Sequence, residues 1–317
     1  KDYVFGVIPL FVLMGLLANL SGASSEIYNA FHVLLRRVRG GLGMATVGAN
    51  AVFATITGVS IASAAVFSKV SLGPMTELKY DKKLALGTIA GSSVLGMLIP
   101  PSLLFIIYGM LAEVSVGKLF IAGIIPGIML ALIYCSGIYI MGSLKPSLVG
   151  GRVAEKKRFD REDWKTVFRP WPVAVLVILI LFGLYGGWFT PTEAGAVGAF
   201  GTLILVILKR KVNREEFRNV LIETGYTSAS VLLLLISAQM YSRMLSMSGV
   251  LNAVEDFVNF LSISSASLII IFLAIIFVLG MFLDSTSILL ITMPIFLPLV
   301  KAVGYDLIAF GVLAVIV

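Results

Sequence analysis

The sequence is poor in charged residues: Asp, Glu, Lys and Arg make up 13% of its 317 residues, against 59% hydrophobic residues. A soluble domain of this length needs more charge to cover its surface. The short alternating strands of a membrane β-barrel are also missing. The long apolar stretches therefore predict helices, since roughly 20 helical residues cross a hydrocarbon core of about 30 Å. We predict an all-α polytopic membrane protein.

Cysteine and histidine are nearly absent. The one cysteine, Cys135, has no partner for an internal disulfide, and the one histidine, His32, belongs to no metal-ligand cluster. The sequence has no phosphate-binding loop and no nucleophile elbow, which argues against an enzyme, and no cofactor is expected. The net charge of +7 is interpreted as membrane topology rather than nucleic-acid binding. Because the first residue is not Met and the last residues lie in an apolar run, we expect a longer full-length protein.

The apolar segments differ in length. They lie at about 4–20, 43–56, 61–73, 84–112, 117–142, 171–189, 192–208, 226–246, 266–283, 287–300 and 307–317. Segments as short as 43–56, 61–73 and 287–300 do not cross a bilayer alone and are typical of re-entrant hairpins. This predicts a first hairpin at 43–73 and a second at 266–300.

Positive charge indicates which loops face the cytoplasm. Twenty of the 24 Lys and Arg residues fall in four regions, which are 36–41, 69–83, 145–170 and 209–218. The positive-inside rule places all four on the cytoplasmic side. Because two of these regions flank the first hairpin, that hairpin enters and leaves the membrane by one face. Span 84–112 then crosses outward and span 117–142 returns.

Short matches predict an inverted internal repeat. Leu20-Ser21-Gly22 and Met247-Ser248-Gly249 each end a span, at an offset of 227 residues that maps Thr57 onto Asp284. The arm after the first match is basic, whereas the arm after the second carries Glu255 and Asp256. Similar units of opposite orientation are typical of secondary transporters. The predicted division is a first repeat at 1–145, a cytoplasmic linker at 146–170, a scaffold helix pair with a basic loop at 171–225, and a second repeat at 226–317.

Three polar interruptions of the apolar segments are candidate sites. Pro100 and Pro101 remove two backbone donors within span 84–112, which predicts either a kink or a broken helix at a binding site. The turn 57–60 between the halves of the first hairpin supplies two hydroxyls and a flexible backbone, which suit a hard cation, although such small residues also serve helix contacts. Asp284 is an acid in an apolar region and is interpreted as an ion-coupling residue, a helix N-cap, or both. By contrast, 190–193 is predicted to be a capping box.

At these motifs the sequence resembles the large, DctM-like membrane subunit of TRAP transporters (tripartite ATP-independent periplasmic transporters). The matching stretches include LGMLIPPSLLFIIYG, KLFIAGIIPG, WFTPTEAGAVGA and GMFLDSTSILLITMPIFLPLV. They occur in the family order over nearly the whole chain. Thr57 and Val59 depart from the family pattern, which commonly has serines at these positions of the first hairpin tip.

The resemblance implies an elevator-type importer with two hairpins and two broken helices, coupled to Na⁺. It places the second broken helix partly beyond Val317, so that helix is truncated here. Expected partners are a small four-helix membrane subunit, a periplasmic solute-binding protein and a carboxylate-bearing solute such as a C4-dicarboxylate or sialic acid. The expected location is the bacterial inner membrane. The ion- or substrate-binding residues it implies are Thr57, Gly58, Ser60, Gly96, Pro100, Pro101, Ser102, Gly280, Asp284, Ser285, Thr286 and Ser287. Candidate Na⁺ ligands among them are Thr57, Ser60, Pro100, Asp284 and Ser285.

Three other functions remain open at the level of sequence. A related ion-coupled anion carrier would work without a binding protein. A channel would not accumulate its solute against a gradient. A membrane-embedded hydrolase would need a nucleophile and a base within the spans, and no such pair is evident.

Overall fold

The computed structural model describes residues 6–151, 159–209, 213–250, 253–254, 256 and 264–317. Within these ranges the regular elements are helices, apart from one isolated bridge between Tyr80 and Val149. By length and composition, five helices could cross a membrane, or up to seven spans could if each bent helix pair counts as one. One of the five is Ser285–Ala302, because the helix extends beyond the predicted apolar segment 287–300 at both ends and so reaches the length of a span. The prediction of an all-α polytopic membrane protein is confirmed.

The first half of the chain contains a helical hairpin followed by a broken helix. Its helices are α1 (Val7–Leu20), α2 (Ala23–Leu35), α3 (Gly41–Thr57), α4 (Ser60–Glu77), α5 (Lys82–Ser93), α6 (Leu95–Leu98), α7 (Leu103–Ala112) and α8 (Val116–Leu144). Helices α3 and α4 pack against each other and against α5. The chain bends by 63° between α1 and α2 and by 42° between the α5–α6 stretch and α7.

The second half repeats the hairpin after a longer helical segment. Its helices are α9 (Arg161–Phe168), α10 (Trp171–Tyr185), α11 (Pro191–Leu208), α12 (Arg214–Met247), α13 (Ser265–Gly280), α14 (Ser285–Ala302) and α15 (Leu307–Ile316). The predicted boundary at 225 falls inside α12, because the Asn213 side chain caps a helix that continues without interruption into the next span. Most of the predicted second arm, 249–263, lies outside the described residues.

Helix α1 packs closely against α11 and α12. Gly198 of α11 makes this approach possible, since a Cβ atom there would lie 2.2 Å from the Sδ atom of Met14. Small residues at such crossings allow backbones to approach in the absence of a hydrophobic driving force between helices. Together α1, α10, α11 and α12 form one packed group of helices.

The four basic regions converge at one end of the molecule. The Asp81 amide donates to the Leu148 carbonyl at 3.0 Å, which joins the region after the first hairpin to the linker. Arg36 forms a bidentate ion pair with Asp163, with Nη1 at 2.7 Å from Oδ1 and Nη2 at 2.5 Å from Oδ2. Both side chains are largely buried. Glu26 contacts Lys209 at 2.5 Å and Arg169 at 3.4 Å. These contacts place all four regions at one end, as the positive-inside assignment requires.

Backbone turns at equivalent positions support the internal repeat. Gly22 and Gly249 follow the ends of α1 and α12 with φ of 74° and 73°. The second helix of each hairpin ends with the same pair of hydrogen bonds to carbonyls three and five residues earlier. The donors are the Lys79 and Tyr80 amides in the first repeat and the Gly304 and Tyr305 amides in the second. An aspartate, Asp81 or Asp306, then caps the next helix. The agreement extends from the sequence matches to local geometry.

Candidate functional site: two hairpin tips and a helix break

The tip of the first hairpin lies against the break in the α5–α7 helix. Helix α3 ends at Thr57 and α4 begins at Ser60, so only Gly58 and Val59 form the turn. The carbonyl of Gly58 accepts a hydrogen bond from the Leu103 amide at 3.1 Å. This bond occupies the first backbone donor of α7, which has no partner inside its own helix.

Gly58 is required by this contact in two ways. Its φ of +62° lies in the left-handed region that L side chains avoid. A Cβ atom at position 58 would also lie 2.8 Å from the Pro101 carbonyl oxygen. The tip and the break are therefore in backbone-to-backbone contact, and Gly58 permits it.

The helix break runs from Ile99 to Ser102. Pro100 and Pro101 have no N–H, so the carbonyls of Gly96 and Met97 lose their helical donors. The Ser102 hydroxyl donates to the Met97 carbonyl and also caps α7 through the Phe105 amide. The structure shows a broken helix rather than a simple kink, because α7 starts with its own N-cap. A binding site at this break stays a prediction.

Gly96 and a serine that the sequence analysis did not single out complete this contact. A Cβ atom at Gly96 would lie 3.2 Å from the Val59 carbonyl oxygen and 3.4 Å from Ser63 Oγ. Ser63 is fully buried, and its hydroxyl lies 3.3 Å from that of Thr57. The signal for Ser63 in the sequence is its position one helical turn after Ser60.

The tip of the second hairpin is exposed and satisfies its own polar groups. The Asp284 carboxylate accepts hydrogen bonds from the Thr286 and Ser287 amides at 3.0 and 3.1 Å and from the Ser287 hydroxyl at 2.5 Å. The N-cap role of Asp284 is thus observed directly. Ser285 is half-buried, whereas Gly280 and Asp284 are exposed.

A cavity of about 170 Å³ joins the second tip to the first repeat. Val94, Met97 and Leu104 line it from the broken helix, Gly280 and Ser285 from the second hairpin, and 314–317 from α15 and its end. Thr57 and Ser60 do not line this cavity. The predicted residues therefore form two groups, one at the first tip with the helix break and one at the second tip.

Two further predictions concern residues outside the tips. Thr190 and Glu193 form the predicted capping box at the start of α11, through the Glu193 amide and the Thr190 amide. Among the residues that the structure describes, no group of His, Cys, Asp or Glu is arranged to hold a metal ion.

The fold and the tips define a class of protein before any comparison. A polytopic helical membrane protein, with two equivalent helical hairpins and a helix broken by two prolines at a hairpin tip, has the architecture of a membrane transporter.

Comparison with known families agrees with this class. The model of the tripartite ATP-independent periplasmic transporter family, DctM component, matches residues 1–317. The chain belongs to this family. Its members are one component of a three-part system that also includes a small membrane subunit and a periplasmic binding protein.

Individual relatives differ in the solute for which they are named. The chain is 30% identical to the C4-dicarboxylate large permease protein DctM of Pseudomonas aeruginosa, covering 100% of the chain and 73% of that protein. It is 30% identical to the sialic acid large permease SiaM of Vibrio cholerae, covering 99% of the chain and 73% of that protein. It is also 30% identical to the isethionate permease DctMQ of Oleidesulfovibrio alaskensis, over 98% of the chain and 48% of that protein. The comparisons identify a transporter permease rather than an enzyme.

Proposed function

We propose that the chain is the permease of a Na⁺-coupled, binding-protein-dependent importer of carboxylate-bearing solutes that works by an elevator mechanism. The observation that carries the proposal is the contact between the first hairpin tip and the helix break, with Gly58 O bonded to Leu103 N at 3.1 Å. This contact gathers carbonyl and hydroxyl oxygens where two prolines have removed helical donors.

The oxygen-rich contact supports a site for a hard monovalent cation. Thr57, Ser60 and the Pro100 carbonyl are the candidate ligands at the first tip, and Asp284 and Ser285 at the second. Oxygen ligands without sulfur or imidazole suit Na⁺ rather than a transition metal. Binding of a cation would hold each tip against the neighbouring helix break. Ion binding would thereby be coupled to the conformation that binds solute.

The packing supports a division into two bodies. Helices α1, α10, α11 and α12 would form the scaffold, and the two hairpins with their broken helices would move against it. Gly15 of α1 faces the first tip, where a Cβ atom would lie 3.0 Å from the Thr57 Cα. At this contact Gly15 presents no side chain that could interlock with the tip, which suits movement of the tip past α1.

The family description supports the proposed partners and location. A tripartite periplasmic transporter implies the bacterial inner membrane, a small four-helix membrane subunit and a periplasmic solute-binding protein. The relatives named for C4-dicarboxylates and sialic acid support a carboxylate cargo, and the one named for isethionate adds a sulfonate to the acids that a test must include.

Uptake by the full-length protein tests the proposal. The permease, its small subunit and its binding protein are reconstituted in proteoliposomes and assayed with succinate, N-acetylneuraminate and isethionate. We expect accumulation of one carboxylate solute above its external concentration, driven by an inward Na⁺ gradient and abolished when K⁺ replaces Na⁺.

Three results would contradict parts of this proposal. Equal uptake without the binding protein would identify the related carrier that works alone. Flux that only equilibrates the solute would identify a channel. Accumulation that is unchanged in K⁺ would remove Na⁺ as the coupling ion.

A further inference from the structure

A second cleft lies at the end of the molecule opposite the basic regions. The turn between α7 and α8 and the turn between α10 and α11 line its larger part, of about 1080 Å³. Helix α8 runs from this cleft at Val116 to the basic end at Leu144, a length of 29 residues. At 1.5 Å per residue the two ends are roughly 40 Å apart, so the cleft faces the outer side of the membrane.

A smaller part of the cleft, of about 510 Å³, adjoins the larger one. Both parts are lined by Met110, Glu113 and Gln239. The smaller part is bounded by α7, α12 and α14, and α14 packs against both of the others. Because α12 belongs to the packed group around α1 while α14 belongs to the second hairpin, this part lies between the two proposed bodies.

The two parts carry opposite charge. Glu113 and Glu193 line the larger part, whereas Arg243 and Lys301 line the smaller part together with Glu113. The Glu193 carboxylate is already engaged by the Thr190 amide and hydroxyl, at 2.7 and 2.9 Å. Arg243 and Lys301 form no ion pair with any described carboxylate. Within the described part of the chain, the two cations are therefore left for an external anion.

These cations are isolated in sequence as well as in space. The stretch 244–300 contains no Lys or Arg, and Arg243 and Lys301 stand at its two ends. The fold brings both ends of this stretch, which lacks Lys and Arg, to one cleft. A guanidinium and an ammonium on facing walls match the charge and hydrogen-bonding needs of a carboxylate.

We propose that Arg243 and Lys301 form an outer acceptor site that receives the carboxylate of the solute before it reaches the hairpin tips. The identity of the cargo as an organic acid rests on the proposed function above. The acidic part of the cleft orients the solute by repelling its anionic group toward the basic part.

Charge-selective labelling of cysteines in the cleft measures this polarity without requiring transport. In the full-length complex, every native cysteine, including Cys135, is replaced by serine. Ser242→Cys then reports on the basic part, and Ser115→Cys on the acidic part. Each is reacted from outside with membrane-impermeant methanethiosulfonates that carry either a sulfonate or a trimethylammonium group.

We expect the sulfonate reagent to be favoured at position 242 and the ammonium reagent at position 115. Arg243→Gln with Lys301→Gln should lower the anion-to-cation rate ratio at position 242 at least about fivefold, since the local potential changes sign there. Lys118→Gln is the matched control, because Lys118 lies near the same end at the start of α8 and lines neither part. A ratio that the double variant leaves unchanged would overturn the proposal.

Protection by solute tests the acceptor role itself. We expect succinate or N-acetylneuraminate to slow modification at position 242, and the neutral diamide of succinate to leave it unchanged. Polarity without protection by any of the acids would overturn the acceptor site while leaving the uptake assay, and with it the proposed function, intact. Conversely, failure of Na⁺-driven uptake would not alter the labelling ratios.

In uptake assays, Arg243→Gln should raise the KM for the transported acid at least about fivefold with little change in maximal rate. An equal loss in maximal rate at unchanged KM would indicate a structural role and contradict the acceptor site.

Discussion

The first hairpin tip bonds to the backbone of a neighbouring helix break, whereas the second tip, which the repeat places at the equivalent position, carries its own capping aspartate. At the first tip, backbone groups of two segments satisfy one another, with Gly58 bonded to Leu103. At the second, the Asp284 side chain satisfies the start of its own helix. Each tip thus supplies the acceptor for the start of a helix, the first tip for the neighbouring α7 and the second tip for its own α14.

The difference lies in which part of the chain supplies the acceptor. Helix α4 begins after Val59, which offers no side-chain cap. Helix α14 begins after Asp284, a good N-cap residue. The first tip therefore depends on its neighbours for its position, and the second carries its own cap and a negative charge. We expect substitutions at the two tips to fail in different ways.

The largest expected effect follows from Gly58→Ala. The left-handed backbone costs an L residue about 1–2 kcal/mol, and the new Cβ would also meet the Pro101 carbonyl, so we expect uptake to fall below about 1% of wild type. Gly73→Ala in the same hairpin is the control, because nothing lies within 4 Å of a Cβ atom there. Full uptake by Gly58→Ala would show that the tip moves away from the break without loss of function.

Labelling rates give a direct comparison of the tips. In a cysteine-free background, Thr57→Cys should react with a thiol reagent at least about tenfold more slowly than Thr286→Cys, since reaction at the buried position requires local opening. Thr57 is 4% exposed. Equal rates at the two positions would mean that both tips open alike. Addition of Na⁺ should slow both reactions if it closes the tips.

Asp284→Asn separates the cap from the charge. Asparagine caps a helix about as well as aspartate, so the variant should keep its thermal stability. Loss of the charge should raise the Na⁺ concentration for half-maximal uptake about tenfold, equivalent to about 1.4 kcal/mol of ion binding. Asp306→Asn is the control, because Asp306 caps α15 in the same way away from either tip. An unchanged Na⁺ dependence would leave Asp284 with a structural role only.

The smallest effect is expected for Ser102→Ala. It removes the cap of α7 and the donor to the Met97 carbonyl, which should lower stability by about 1 kcal/mol. Ser136→Ala is the control, since the exposed Ser136 hydroxyl donates only within its own helix, to the Ile133 carbonyl. Thermal unfolding of the purified proteins measures both. A stability of Ser102→Ala equal to that of the control would mean that this hydroxyl does not hold the break together.

Much of this comparison was accessible from the sequence, because its signals are local. The pair Pro100-Pro101 marks the break, since no helix interior accommodates the loss of two consecutive donors without disruption. The segment lengths on either side of 57–60 indicate a hairpin rather than two spans. Asp284 combines a capping residue with a following apolar run, which predicts a helix start at Ser285.

Features that depend on distant contacts were not accessible. The spacing of Ser63 from Ser60 places it on the same helix face, but its burial against Gly96 depends on a separate helix that this spacing does not specify. Helix α12 begins at Arg214, within the predicted basic loop of 171–225. The charges of this stretch resemble those of a linker, although Glu and Arg are good helix formers. The pairing of Arg36 with Asp163 joins residues 127 positions apart. Charge alone predicts that both residues face water, yet they are buried together.

The contacts of the first arm also determine when, during synthesis, the first repeat can complete its folding. Arg36 and Glu26 complete their ion pairs only with residues 127 and 183 positions later in the chain. A nascent chain that ends before α9 therefore has a first repeat whose buried arginine is uncompensated. Maturation of the first repeat must wait until the following helices leave the ribosome and insert. The first repeat therefore gains both ion pairs only after α9 and Lys209, which follows α11, have been synthesised.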